Sequence, residues 1–77
     1  MTARRTLDAR GLQCPLPVLK ARKALIAMAP GERLEVLATD PIAAIDLPNF
    51  CREAGHRFVG KEPRDGDAWA FLIERGG

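Results

Sequence analysis

Stop signals divide this chain so evenly that no stretch between two of them exceeds one short helix. Gly11 permits a turn, and Ala29-Pro30-Gly31 ends a helical pattern with proline and glycine just past its end. Asp40-Pro41 pairs an N-cap residue type with the residue suited to a first helical position. Gly55 is placed to end a second helix, and Arg64-Asp65-Gly66-Asp67 carries the Asp-Gly signal of a hairpin.

The six segments so defined have readable periods. Thr6 to Asp8 is a short strand. From Pro15 to about Met28, Val18, Ala21, Leu25 and Met28 recur at helical spacing and share one face, with Lys20, Arg22 and Lys23 largely outside it. Arg33 to Ala38 alternates so that Leu34, Val36 and Ala38 face one side of a strand. A second helix is expected from Pro41 to about Ala54, kinked or split at Pro48. His56 to Lys61 and Ala68 to Glu74 read as strands, the latter alternating Trp69, Phe71 and Ile73 with Ala70 and Leu72. Gly76 and Gly77 are expected to fray.

The order β-α-β-α-β-β predicts an α/β two-layer sandwich: a four-stranded mixed sheet with both helices on one face. A helix between strands implies a parallel crossover, and the last two strands form an antiparallel hairpin. Strand order does not follow from these patterns. At 77 residues the expectation is a single domain spanning 1–77, with a thin margin of stability and little spare structure for an enclosed substrate cavity.

Composition removes several function classes. A formal net charge of +2 is too small to imply nucleic-acid binding by itself. No apolar run approaches the roughly 20 residues that cross a bilayer. The basic start, Met1-Thr2-Ala3-Arg4-Arg5, is not followed by an apolar segment, so a secretory signal is not expected and a cytoplasmic location is. The two cysteines, Cys14 and Cys51, should then be reduced thiols. With one histidine, His56, and no Cys-x-x-Cys pair, cysteine and histidine cannot supply a four-ligand zinc site; no metal or cofactor is expected.

The informative segment runs from Leu7 to Val18 and centres on Cys14-Pro15-Leu16-Pro17. The thiol stands where a turn meets the first helix. Proline costs little there, because helix N-terminal amides lack partners anyway, and its fixed φ stiffens the entry. Pro15 and Pro17 should therefore set the direction of Cys14. The partial positive charge of a helix N-terminus favours thiolate over thiol, and Arg10 could add to that. A lone cysteine in a small domain is also commonly an inert packing residue, and on the residues alone both readings stand. A hydrolytic cysteine needs a base and an orienting partner, whereas His56 is 42 residues further along and nothing else resembles a triad. A thiol without a base can still accept and pass on sulfur by exchange chemistry.

At these residues the chain resembles the TusA/SirA-like sulfur carriers. Asp8, Gly11, Leu12, Cys14, Pro15 and Pro17 match their Asp-x-x-Gly-Leu and Cys-Pro-x-Pro pattern. The likeness continues in order through Val18, the basic run to Lys23, Pro30-Gly31-Glu32, Asp40-Pro41, Pro48-Asn49-Phe50-Cys51, Gly55-His56 and Leu72-Ile73. The resemblance implies the same β-α-β-α-β-β sandwich and a Cys14 that holds a sulfane sulfur as a persulfide. It implies a cysteine desulfurase or rhodanese-like donor and a downstream acceptor protein; with the charge and hydropathy above, no direct nucleic-acid or membrane contact is expected. Destinations in the family include the 2-thiouridine of tRNA wobble positions, sulfur oxidation or reduction, and molybdenum cofactor synthesis. The residue between the prolines is often acidic in the tRNA branch; here it is Leu16, which changes the surface a partner reads.

Around this centre, Asp8, Arg10, Gly11, Pro15 and Pro17 are expected to support the motif, and Lys20, Arg22 and Lys23 to dock partners. Such charges steer encounter and respond to salt, although a solvated face is their commoner role. Cys51 is expected half-buried in the second helix, with a resolving role the minor option. His56 reads as a capping or strand-start residue, Asp40 as an N-cap, and Trp69, Phe71 and Phe58 as sheet packing. A monomer is expected. A protein or RNA interaction module and a Cys14–Cys51 redox switch are the competing functions.

Overall fold

Residues 4–77 are described by a computed structural model of the chain. Met1 to Ala3, part of the basic N-terminal stretch, lie outside the described residues. The elements are β1 (Arg4–Ala9), α1 (Leu16–Ile26), β2 (Arg33–Ala38), α2 (Ala43–Ala54), β3 (Arg57–Pro63) and β4 (Trp69–Glu74). The order is β-α-β-α-β-β, as the sequence implies.

The sheet runs β1-β2-β4-β3. β1 and β2 are parallel, from Arg4↔Arg33 to Ala9↔Ala38, while β4 is antiparallel to both β2 and β3. The last strand therefore inserts between β2 and β3. β1 is longer than the Thr6–Asp8 core legible in the sequence because each of its six residues pairs with one of β2. A register shift between Phe58 and Gly60 bulges β3.

α1 packs over β1 and β2, and α2 over β3 and β4. Between helices and sheet lie Ala21, Leu25, Leu34, Val36, Leu47, Cys51, Phe71 and Ile73, all buried. The expected stripes of α1 and β2 face this layer. α1 ends two residues before Met28, where Ala27 and Met28 donate to the carbonyls of Ala24 and Leu25 in a tightened last turn. Met28 stays in the core nonetheless.

Four details depart from expectation. α2 starts at Ala43, because Asp40 and Pro41 form a preceding turn whose carbonyls accept from Ala43 and Ala44. Pro48 does not split α2, which runs unbroken from Ala43 to Ala54: it lacks one amide, and the buried Leu47 and Cys51 on either side hold the helix to the core. Trp69 is 41% exposed, with the Lys61 ammonium 5.2 Å from its ring centroid, so it lies outside the core that Phe71 joins. Gly76 is not frayed. Its amide donates to His56 Nδ1 at 3.0 Å, Arg75 and Glu32 are joined by a backbone hydrogen bond, and Arg75 Nε donates to the Leu25 carbonyl at 2.7 Å.

Candidate functional site around Cys14

Parallel pairing of β1 and β2 brings Ala9 and Ala38 side by side, so the loops that follow leave the same end of the sheet. In α/β sheets that end is where sites collect. The β2–α2 loop supports the β1–α1 loop. Gly11, at φ +81°, donates its amide to Thr39 Oγ1 at 2.9 Å. Its left-handed φ explains the glycine. The Cys14 amide donates to Asp40 Oδ2 at 2.7 Å, while Asp40 Oδ1 accepts from the Ile42 amide at 3.0 Å. Asp40 is thus a turn residue that ties two loops together, not the N-cap of α2, which is Ile42.

Cys14 is exposed and immediately precedes Pro15, the N-cap of α1. Pro15 caps with no side-chain hydrogen bond, and Pro17 in the first turn is buried. The Cys14–Pro15 peptide is cis. The thiol does not serve α1. It donates from Sγ to Asp46 Oδ2 of α2 at 2.8 Å. Cys14, Pro15, Pro17, Val18, Asp40, Ala43 and Asp46 share a crevice too narrow to hold a water molecule.

This arrangement reverses the expected electrostatics. The Cys14 pKa is raised, first by the hydrogen bond to the Asp46 carboxylate, then by desolvation and by the charges of Asp46 and Asp40. The carboxylates of Asp46 and Asp40 both favour the protonated thiol. Arg10 does not offset them. Its guanidinium forms a two-pronged pair with Asp8, at 2.8 Å to each oxygen, and its amide donates to the same carboxylate. That pairing holds Asp8 down at about 2. Asp8 and Arg10 thus brace each other beside the loop, while Gly11 and the two prolines lie within it.

Lys20, Arg22 and Lys23 are exposed on α1 and enter no ion pair among the described residues. Exposed apolar side chains accompany them: Leu16 and Leu19 on α1, Ile42 and Ile45 at the start of α2. Cys51 is 1% exposed rather than half-buried, and burial pushes its thiol up to about 11. His56 precedes β3 and is engaged with Gly76. Sequence reasoning missed Asp46. It lies 32 positions from Cys14, and only the packing of α2 beside the β1–α1 loop brings the two together. Among the described residues no cluster of three or more His, Cys, Asp or Glu side chains is placed to hold a metal, and no helix is long and apolar enough to cross a membrane.

A split β-α-β sandwich with one exposed, loop-braced thiol at the mouth of its parallel strands defines a small thiol-bearing α/β protein. The family model for sulfurtransferase TusA matches residues 5–75, and the chain belongs to that family. Among solved structures it is similar to a SirA-like protein from Desulfitobacterium hafniense. The two share 28% identity and a TM-score of 0.83 over 95% of this chain and 99% of that one. Family and fold together support a role in sulfur transfer.

Proposed function

We infer that the protein is a sulfur carrier that accepts a sulfane sulfur on Cys14, holds it as a persulfide and passes it to an acceptor protein. The observation that carries this reading is the pairing of opposite environments for two thiols: Cys14 exposed in a braced loop, Cys51 sealed in the core. Sulfur exchange needs a thiol that another protein's sulfur can reach in line, and only Cys14 offers that. A cysteine desulfurase or rhodanese-like protein is the donor. Leu16, Leu19, Ile42 and Ile45 supply apolar contact around the site, and Lys20, Arg22 and Lys23 steer encounter with an acidic partner surface. The carrier works as a cytoplasmic monomer, with no metal or cofactor of its own. The onward route is tRNA 2-thiouridine synthesis or, with Leu16 in place of an acidic residue, a sulfur oxidation or molybdenum cofactor pathway.

Incubation with a cysteine desulfurase and cysteine, followed by intact-mass measurement, tests this. The wild type and Cys51→Ser gain one sulfur and Cys14→Ser gains none. Equal loading of the two single variants refutes the assignment to Cys14.

A further inference from the structure

We propose that Asp46 is a catalytic residue of sulfur loading: its carboxylate takes the Cys14 thiol proton as the new S–S bond forms and hands it to the departing donor sulfur. This rests on the carrier reading above.

The geometry singles out Asp46. Its Oδ2 is the acceptor that the Cys14 S–H addresses, and Asp46 makes no other side-chain hydrogen bond among the described residues. The other candidate groups are committed elsewhere or distant from the thiol. Asp40 holds the amides of Cys14 and Ile42 with its two oxygens. Arg10 is locked to Asp8. His56, the sole histidine, accepts from the Gly76 amide beyond the far end of α2. Thiol and carboxylate are in direct hydrogen-bond contact at 2.8 Å, so the proton passes without an intervening group. The raised pKa of Cys14 agrees: the thiol reaches its donor protonated and must lose that proton during the reaction.

The step balances. Cys14 S–H meets a donor persulfide, R–S–S–H. The Cys14 sulfur attacks the outer donor sulfur, a Cys14 S–S bond forms, and the donor S–S bond breaks with its electron pair leaving on R–S. The Cys14 proton moves to Asp46 and then to R–S, giving R–S–H. The sulfane sulfur keeps its oxidation state and its own hydrogen, so no oxidant or reductant is consumed. A carboxylate is a weak base for an isolated thiol. It becomes adequate as bond formation drains electron density from the Cys14 sulfur and acidifies its proton.

The test compares two reactions of the same thiol. Alkylation by iodoacetamide expels iodide, which needs no proton, and proceeds through thiolate. Sulfur uptake from glutathione persulfide expels a thiolate, which does. In Asp46→Asn the negative charge is gone and the amide can donate to sulfur, so alkylation near neutral pH speeds up. Sulfur uptake is expected to fall relative to alkylation by at least about tenfold, a modest share of what positioned proton transfer contributes. Uptake that rises in step with alkylation overturns the role of Asp46. The unaltered protein provides a second readout that does not depend on the variant folding. Uptake should be slower in D2O than in H2O, and equal rates overturn the proposal. A wild type that takes up no sulfur refutes the carrier reading itself. A wild type that loads, with an unchanged ratio in the variant, refutes only Asp46.

Discussion

The Cys14 amide donates to the Asp40 carboxylate at 2.7 Å across 26 positions of sequence, so the loop that carries the thiol is anchored by the loop that introduces the second helix. One carboxylate thus holds the backbone of Cys14, and its charge also helps to keep the thiol protonated. Removing it should separate these effects. Asp40→Ala loses the bonds to Cys14 and Ile42 and is expected to cost about 1–2 kcal/mol by denaturant titration, as loss of a comparable side-chain cap does. Amide hydrogen exchange at Cys14 should accelerate in this variant. Asp40→Asn keeps one acceptor oxygen, and the pH midpoint of its Cys14 alkylation should fall below that of the wild type. An unchanged midpoint would remove Asp40 from the electrostatics of the site.

Cys51 gives the fold a pH dependence of its own. The folded state keeps this thiol protonated up to about 11, against a reference value of 9.0. The folded state therefore binds the more protons between those values. Its contribution is complete below the unfolded pKa and is lost as pH rises through the folded one. That rise in pKa corresponds to about 3 kcal/mol. Stability of the wild type should decline between about pH 9 and 11, beyond the decline of Cys51→Ala, measured by urea titration at each pH. Parallel curves for the two proteins would rule out this buried thiol as the source of alkaline sensitivity.

How much of this was legible in the sequence depends on the range of the interaction. The alternation in Leu34, Val36 and Ala38 and the helical stripe Ala21, Leu25 and Met28 are local periods, and they locate the core face correctly. Cys14-Pro15-Leu16-Pro17 marks the thiol for the same reason. The Cys14–Asp46 contact and the bond between Gly76 and His56 are set by packing between distant segments, and no short pattern encodes them. The thiol pKa is raised rather than lowered for the same reason: a helix end is a local feature, whereas the carboxylates that favour the protonated thiol come from the β2–α2 loop and α2. The passage of α2 through Pro48 is similar, since tertiary burial of Leu47 and Cys51 overrides a local breaker.

Gly76 sits where a side chain has no room. A Cβ built there would collide with the Gly55 carbonyl, the residue that ends α2 at φ +81°. Gly76→Ala must shift the backbone and strain the hydrogen bond to His56. The expected loss is about 1–3 kcal/mol, the usual range for overpacking, read as a lowered denaturation midpoint. A neutral Gly76→Ala would show that this segment contributes nothing to the fold.

Charge reversal of the α1 face separates docking from chemistry. In Lys20→Glu/Arg22→Glu/Lys23→Glu, loading by a desulfurase should slow and lose most of its salt dependence, while loading by glutathione persulfide stays unchanged. Equal slowing with both donors would indicate damage to the thiol site rather than loss of steering.

Transfer through Cys14 is tested most directly by following one sulfur in and out. The protein is loaded, freed of donor and mixed with a thiol acceptor, and the masses of both are followed over time. Each carrier should lose one sulfur from the peptide containing Cys14 while the acceptor gains one. Sulfur that never enters that peptide, or that enters and cannot leave, would contradict transfer through Cys14.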